Sequence, residues 1–322
     1  MNPFKLILTA LFSGSLMSCG AVQLSNEDEA PVTVKTITYG EESLPSSNNI
    51  DWKLIWSDEF DGSELDRTKW TPETSCWGGG NNEKQCYTDR PVNIQIENGF
   101  LKLIAQAEEF TALAMPQDFE DRGKLRTQPY TSGKLRTKGL ASWTYGRFEA
   151  RIKLPQGQGT WPAFWMMSEH NPYGDWPLSG EIDIVESVNL GAKCSDCDSS
   201  DFENRSIAAL HFGKAWPENQ FKSAKAKLDD VTGFNTFAVE WSQDRIDWFV
   251  NKEKIFSMTS KDWFSSAISK EENARAPFDK PFYLMLNLAV GGNLSMMHNE
   301  KSFDANSYPN ELIVDWVRVY EG

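Results

Sequence analysis

Short runs of apolar or alternating residues dominate the chain from Trp52 onward, and glycine, proline and polar residues separate them. Runs of this length that are rich in Val, Ile, Phe, Trp and Tyr are typical of β-strands. The clearest runs are Leu101–Ala105, Gly146–Leu154, Phe237–Trp241, Ile246–Val250, Phe282–Leu288 and Leu312–Val319. A short helix is predicted around Asp262–Ile268, and no internal repeat is visible. The pattern therefore predicts an all-β fold, a β-sandwich of the jelly-roll type.

The first 48 residues follow a different pattern, which predicts export. Lys5 precedes an apolar run over residues 6–16 that is too short to span a bilayer, as in a signal peptide. The sequence LMSC that ends at Cys19 resembles a bacterial lipobox, which would make Cys19 a lipid anchor; an ordinary signal peptide is the alternative. Residues 19–48 are polar and acidic and predict a tether. We therefore expect a signal peptide over 1–18, a tether over 19–48 and one folded domain over 49–322, with no module after it.

One predicted strand carries three acids, Glu181, Asp183 and Glu186. Strict alternation would place Glu181 and Asp183 on one face and send Glu186 to the core. An unpaired carboxylate in a core is costly. A β-bulge near Ile184 and Val185 adds one residue to the strand and returns Glu186 to the face of the other two acids. The sequence therefore predicts three carboxyls on one wall of a concave cleft.

Two carboxyls on one cleft wall are suited to glycoside hydrolysis. One attacks the anomeric carbon as a carboxylate, and the other protonates the departing oxygen. Crowding of three carboxyls favours one that stays protonated near neutral pH. Retention of configuration requires the two carboxyls to approach within about 5–5.5 Å, and the long glutamate side chains must lean together to do so. A strand with solvent-facing acids and no catalytic role is the alternative interpretation of the motif alone.

Composition narrows the class of ligand. The chain has 322 residues, a net charge of −14 and a pI near 4.8, which argues against a nucleic-acid partner because such partners are bound by basic surfaces. The same charge mildly disfavours polyanionic substrates. The 13 Trp, 19 Phe and 8 Tyr residues suit a core, and they also suit a sugar-binding cleft.

Four cysteines remain if Cys19 carries a lipid: Cys76, Cys86, Cys194 and Cys197. An even number fits an oxidising compartment, and we expect each near pair to form a disulfide. A zinc site built from both pairs is the alternative, although the gap between Cys76 and Cys86 suits it poorly.

The stretch from Trp52 to Tyr320 resembles glycoside hydrolase family 16, in particular its laminarinase-like bacterial members. The acidic strand is similar to the family signature E-x-D-x-x-E, the bulged form typical of β-1,3-glucanases. Other blocks follow in the family order, namely WSDEF at 56–60, GGNNE at 79–83, YTSG at 130–133, YGRFEAR at 145–151, WPAFW at 161–165, LHF at 210–212 and NLAVGGN at 287–293. The resemblance implies that Glu181 is the nucleophile, Glu186 the general acid/base and Asp183 the residue that tunes the pair.

The resemblance also implies a set of substrate contacts. Trp161 and Trp165 would line the negative subsites, on a strand that Pro162 makes irregular, and the family pattern places His211 beside the acid/base. Further predicted contacts are Arg147, Asn81, Asn293 and Trp216. Their alternatives are core packing for the tryptophans, a salt bridge to Glu149 for Arg147, a structural role for His211 and turn formation for the asparagines.

Many members of this family hold a calcium ion away from the cleft, and the matching donors are Glu59, the carbonyl of Gly99 and Asp315. The ion would stabilise the fold, and no cofactor is expected for catalysis. The chain departs from many β-1,3-glucanases after Asn293, where it has Leu-Ser-Met-Met in place of a Trp-containing loop. Residues 191–204 form an insertion with two cysteines, which we expect at the positive-subsite end.

These features predict a retaining endo-β-1,3-glucanase that acts on laminarin-like polysaccharides, a monomer exported to the bacterial cell surface or outer membrane by a lipid anchor. A secreted or periplasmic location is the alternative. An agarase or porphyranase of the same family is the rival enzyme. A noncatalytic glucan-binding lipoprotein is the third hypothesis, but such proteins typically lack the catalytic glutamates.

Overall fold

The computed structural model describes residues 50–197, 201–298 and 303–322. Most of these residues lie in strands, as the apolar runs predict. The first nine strands are β1 (Lys53–Asp58), β2 (Thr71–Pro72), β3 (Gln85–Tyr87), β4 (Ile94–Glu97), β5 (Phe100–Ala105), β6 (Phe110–Leu113), β7 (Leu125–Gln128), β8 (Tyr130–Ser132) and β9 (Lys134–Arg136). The later strands are β10 (Gly146–Lys153), β11 (Thr160–Ser168), β12 (Glu181–Glu186), β13 (Arg205–Gly213), β14 (Asn219–Lys227), β15 (Phe234–Ser242), β16 (Arg245–Val250), β17 (Glu253–Thr259), β18 (Phe282–Val290) and β19 (Asn310–Glu321).

Two large antiparallel sheets form the sandwich. Seven strands make one sheet, in the order β14-β13-β12-β11-β18-β9-β2. Eight strands make the other, in the order β17-β16-β15-β10-β19-β5-β4, and β1 pairs with β19. Both sheets combine pairs of consecutive strands with pairs of strands that are distant in the sequence, such as β11 with β18 and β10 with β19. This is the predicted jelly-roll architecture, and it places the acidic strand β12 inside the seven-stranded sheet.

The apolar core lies between the two sheets. Alternate side chains of β10 and β15, such as Phe148 and Val239, meet those of β12 and β18, such as Ile182 and Leu286. Each of these four side chains is fully buried. At about 25 cal/mol per Å² of apolar area removed from water, a side chain of this size contributes roughly 1.5–3 kcal/mol to stability. The opposite face of the seven-stranded sheet is left for polar and aromatic side chains.

The prediction of a short helix around Asp262–Ile268 is wrong. Residues 262–268 form turns, because the side chain of Asp262 accepts hydrogen bonds from the backbone N–H and the hydroxyl of Thr259, while the indole of Trp263 is buried and donates to the carbonyl of Arg275. These contacts fix a looped backbone. The helical segments that the structure describes are α1 (Gly292–Met297) and a 3-10 turn over Ala305–Ser307.

The predicted signal peptide, the lipid anchor at Cys19 and the tether over 19–48 lie outside the described residues. Within the described ranges, none of the helices has the length and apolar character needed to cross a membrane.

Candidate active site

The three acids of β12 share the exposed side of the seven-stranded sheet because the strand contains the predicted bulge. On one side, Asp183 pairs with Trp165 and Val185 with Phe164; on the other, Asp183 pairs with Ala209. Ile184 has no partner in either register, so it is the extra residue. Ile184 and Val185 are both buried, whereas Glu181 and Glu186 are partly exposed.

We call this side of the sheet the catalytic face. Burial and mutual repulsion change the charge of the acids on it. Burial and the neighbouring charge of Asp183 raise the pKa of Glu181 to about 8. Burial and the charge of Glu186 raise the pKa of Asp183 to about 6, and burial raises that of Glu186 to about 7. Acids this close titrate as a coupled set. The site therefore holds protons at neutral pH, as the crowding of carboxyls predicts.

His211 lies on β13 directly opposite Glu181. Its Nε2 is 3.3 Å from Asp183 Oδ2 and 3.8 Å from Glu181 Oε1. Burial alone would lower the pKa of His211, but the charges of Glu181 and Asp183 raise it to about 10. The register places this imidazolium beside the predicted nucleophile, and the charge of Glu186 also acts on its pKa, so His211 lies within the cluster of all three acids.

Trp161 and Trp165 both reach the catalytic face, as expected. The indole N–H of Trp161 donates to Glu186 Oε1 at 2.8 Å, and that of Trp165 donates to Asn287 Oδ1 at 2.7 Å. The strand is not irregular at Pro162, since β11 pairs with β18 without interruption from Thr160 to Ser168. A spacing of four residues places both rings on one face of a regular strand.

Asn81 and Asn293 meet at one end of β11. The backbone N–H of Asn293 donates to the carbonyl of Asn81 at 2.7 Å, and Gly292 packs against the ring of Trp161. Gly292 has φ +87°, and an added Cβ would lie 2.9 Å from that ring, so glycine is required there. Trp216 lies in the turn between β13 and β14 and is 70% exposed. Asn81 and Asn293 thus lie next to Trp161 at the edge of the catalytic face, whereas a substrate contact of Trp216 stays a prediction.

Arg147 is not a substrate contact. It lies on β10 in the eight-stranded sheet, is 1% exposed, and forms ion pairs with Glu149 at 3.0 Å and Glu240 at 2.8 Å. The salt bridge to Glu149 that was the alternative is the one observed. The sequence block that contains Arg147 does not indicate whether the side chain lies on the catalytic face or in the other sheet.

The predicted calcium donors already have cationic partners. Glu59 accepts two hydrogen bonds from Arg318, each 2.9 Å long, and Asp315 accepts one from Arg151. Each guanidinium supplies the positive charge that a calcium ion would bring. The ion pairing that competes with calcium is therefore present at Glu59 and Asp315, and calcium binding by these residues and Gly99 stays a prediction.

Both cysteine pairs are disulfides, Cys76–Cys86 and Cys194–Cys197, as expected. The alternative of a zinc site from the two pairs is wrong. The insertion that contains Cys194–Cys197 follows the Glu186 end of β12, and its Gly191 and Phe202 line a pocket together with Leu228 and Val231, which follow β14. Its expected position at the positive subsites stays a prediction.

Three residues near the acids were not predicted from the sequence. The ring centroid of Trp176 lies 5.8 Å from that of His211, and Phe221 stacks on His211 with a centroid distance of 5.5 Å. Phe221 is 59% exposed and faces the same side as the acids. Asn287 holds the indole of Trp165. Phe221 could not be recognised because its strand is mostly polar, but Asn287, a polar residue inside a strongly apolar strand, could have been recognised.

Comparison with known proteins agrees with this geometry. The family model "Beta-porphyranase A-D, GH16 domain" matches residues 52–322. The glucan endo-1,3-beta-glucosidase A1 of Niallia circulans is 36% identical over 83% of this chain, which spans 38% of that protein. The beta-glucanase of Rhodothermus marinus is 33% identical over 97% of this chain and 93% of its own length.

A solved structure supports the same assignment. The X-ray structure of the laminarinase from Rhodothermus marinus superimposes with a TM-score of 0.67 and 34% identity, and the match covers 84% of this chain and 97% of that one. The chain is therefore a glycoside hydrolase and belongs to family 16.

Proposed function

We propose that the protein is a retaining endo-β-1,3-glucanase that hydrolyses laminarin-like polysaccharides. The observation that carries the proposal is the bulged strand, which presents Glu181, Asp183 and Glu186 together on the catalytic face. The names of the glucanase relatives support the choice of a β-1,3-linked glucan.

In the first step, the Glu181 carboxylate attacks the anomeric carbon while Glu186 protonates the glycosidic oxygen. The bond between that carbon and oxygen breaks, the reducing-end fragment leaves as an alcohol, and a glycosyl ester forms on Glu181. The Trp161 N–H, 2.8 Å from Glu186 Oε1, fixes the orientation of the proton donor. Because the strand supplies both carboxyls, the reaction needs no cofactor.

In the second step, Glu186 is a carboxylate and removes a proton from water, which attacks the same carbon from the opposite side. Glu181 then leaves as a carboxylate, and two inversions give net retention. The cationic His211 lies beside Glu181 and Asp183 and favours their charged forms, which suits the leaving group of this step.

The pKa values do not by themselves assign the two roles, because the pKa of Glu181 is raised to about 8 and that of Glu186 to about 7. The resemblance assigns them, and rescue with azide tests the assignment. Glu181→Ala is expected to be inactive on glucan and to yield an inverted α-glycosyl azide from an activated glycoside. Glu186→Ala is expected to accept only activated aryl glycosides and to yield a β-glycosyl azide. Exchanged stereochemistry would reverse the roles.

A galactan-cleaving activity is the second candidate, because the matching family model is described as a β-porphyranase domain. The substrate is tested by incubating the purified protein with laminarin, mixed-linkage glucan, agarose and porphyran and separating the products by size. Oligosaccharides released from laminarin are the expected result. Products from agarose or porphyran without products from laminarin would favour the galactanase, and inactivity on all four would favour a binding protein.

We also propose that the protein is exported as a monomer and anchored by a lipid on Cys19. The proposal is supported by the apolar run before Cys19 and the polar tether after it. Expression in bacteria fed an alkyne-tagged fatty acid should label the wild-type protein and leave Cys19→Ser unlabelled. Equal labelling of both proteins would contradict the anchor.

A further inference from the structure

The bulge in β12 depends on more than the pattern of apolar residues. The buried run Ile182, Ile184 and Val185 consists of similar aliphatic side chains, so apolarity alone distinguishes poorly between neighbouring bulge positions. A bulge displaced by one or two residues would turn Asp183 or Glu186 toward the core. Some interaction with the backbone of the strand is needed to fix the position of the extra residue.

The buried side chain of Trp248 makes such an interaction. Trp248 lies on β16 in the opposite sheet, is fully buried, and packs against Phe256 at 4.9 Å between ring centroids. Its indole N–H crosses the sandwich and donates to the backbone carbonyl of Asp183 at 2.9 Å. That carbonyl precedes Ile184, the residue without a partner on either neighbouring strand.

We propose that Trp248 is a positioning residue for the catalytic acids, which holds the bulge at Ile184 through the carbonyl of Asp183. Its hydrogen bond fixes the peptide that joins Asp183 to the extra residue. The direction of that peptide sets where Glu186 emerges relative to Glu181 and Asp183. Trp248 contacts the catalytic strand from the core side, so it acts on the reaction only through the geometry of the acids.

The inference relies on the membership of family 16 and does not depend on which polysaccharide is the substrate. A carbonyl next to a bulge is a small target, and a donor that reaches it across the core must be long, flat and fixed by packing. An indole meets these requirements, since its N–H lies at the end of a rigid ring system. Phenylalanine would fill most of the same volume without a donor.

Trp241 offers a matched control. It is also fully buried and lies on β15 of the same sheet, and its indole N–H donates to a backbone carbonyl, that of Phe278, at 3.2 Å. Phe278 lies outside the catalytic strand. Trp241→Phe therefore removes the same type of hydrogen bond and a similar volume, without touching the bulge.

The experiment compares kcat, KM and the pH profile of Trp248→Phe, Trp241→Phe and wild type on the best of the four polysaccharides, with rates corrected for the folded fraction. For Trp248→Phe we expect kcat to fall by about tenfold, the equivalent of one hydrogen bond in the transition state, with KM nearly unchanged. The pH profile should also change, because the spacing of the coupled acids changes. Trp241→Phe should lose stability and keep both its kcat and its pH profile.

Phenylalanine is smaller than tryptophan, so Trp248→Phe also changes the packing of the core. A second variant with an isostere of tryptophan removes the N–H group without this change in packing. Site-specific replacement of Trp248 by benzothienylalanine keeps the shape of the indole and puts sulfur in place of N–H, so the same loss of kcat is expected. Wild-type kcat and pH profile in the isosteric variant would overturn the proposal. The same assay tests the proposed substrate through the products of the wild-type protein. If the glucanase assignment is wrong, the wild type is inactive on laminarin. The proposal for Trp248 is tested separately, by the ratio of the kcat of the variant to that of the wild type on whichever polysaccharide is cleaved.

Discussion

Individual residues of the catalytic cluster depend on one another for their charge. His211 is the cation beside Glu181 and Asp183, and its loss removes an interaction that lowers the pKa of both acids. Glu181 must be ionised to attack, so activity rises as the pH rises through its pKa. We expect His211→Gln to move the acid limb of kcat/KM to higher pH and to lower kcat/KM at pH 6, as measured on laminarin.

The matched control is His170→Gln, because His170 is exposed on a loop. Its pH profile should superimpose on that of the wild type. An acid limb that stays in place in His211→Gln, or moves to lower pH, would show that His211 is not the cation that acts on Glu181.

Arg147 illustrates a residue that stabilises the fold without touching the site. Its guanidinium is buried between Glu149 and Glu240. Removing one side of a buried ion pair leaves charge in the core without its partner and typically costs about 3–5 kcal/mol. We expect Arg147→Met to lose stability on this scale in urea denaturation, with KM for laminarin unchanged.

Arg67→Met is the comparison, since Arg67 pairs with Asp89 on the surface at 2.6 Å. Exposed pairs are worth about 1 kcal/mol or less. A several-fold rise in KM for Arg147→Met, without loss of stability, would restore the predicted substrate contact.

At this scale, the sequence predicted the residues whose position follows from local alternation and not those that depend on distant partners. Glu181, Asp183 and Glu186 could be placed on one face because a carboxylate in the core is costly, and Trp161 and Trp165 because they are four residues apart. The contacts of Arg147 with Glu240 and of His211 with Glu181 could not be predicted, because these partners lie on β15 and β12 and the pairings leave no trace in the local pattern.

The two disulfides are expected to stabilise the fold to different extents, because they close loops of different length. Cys76–Cys86 closes a separation of ten residues, and Cys194–Cys197 closes one of three. Loop-closure entropy grows with the logarithm of loop length, so the losses on removal are roughly 3 and 2 kcal/mol. We expect Cys76→Ser with Cys86→Ser to lower the thermal midpoint more than Cys194→Ser with Cys197→Ser.

The first pair should also affect activity, because its loop carries Asn81, which contacts Asn293 beside Trp161. The measurement is kcat/KM for laminarin alongside the thermal midpoint. If activity were lost only when Cys194–Cys197 is removed, the result would instead indicate that the loop closed by this disulfide contacts the substrate.

Strands with apolar runs were predicted close to their observed bounds, as in Ile246–Val250 for β16 (Arg245–Val250). The edge strand β14 was not, because Asn219–Lys227 is mostly polar and exposed and has no buried face to impose alternation. The helix α1 begins at a glycine and has six residues, too few for a helical period to show.

The whole molecule carries a net charge of −14, which acts on substrates at a distance. Neutral laminarin is indifferent to this field, whereas a sulfated laminarin is repelled, and added salt screens the repulsion. We expect KM for sulfated laminarin to fall when ionic strength rises from about 0.01 to about 0.15 M, where the Debye length shrinks from about 30 to about 8 Å.

KM for unmodified laminarin should stay constant over the same range and serves as the control. A KM for the sulfated polymer that rises with salt would indicate a local basic subsite that outweighs the overall charge.

The extra residue in β12 also makes an unusual kind of sequence change tolerable. Deleting one residue from an ordinary strand reverses the face of every side chain beyond the deletion. Deleting Ile184 would instead restore strict alternation, and the acids of the resulting E-x-D-x-E strand would still all point outward. The strand can therefore exist in two lengths with the same set of outward acids. A one-codon deletion would thus change the separation of the acids by one residue without moving any of them into the core.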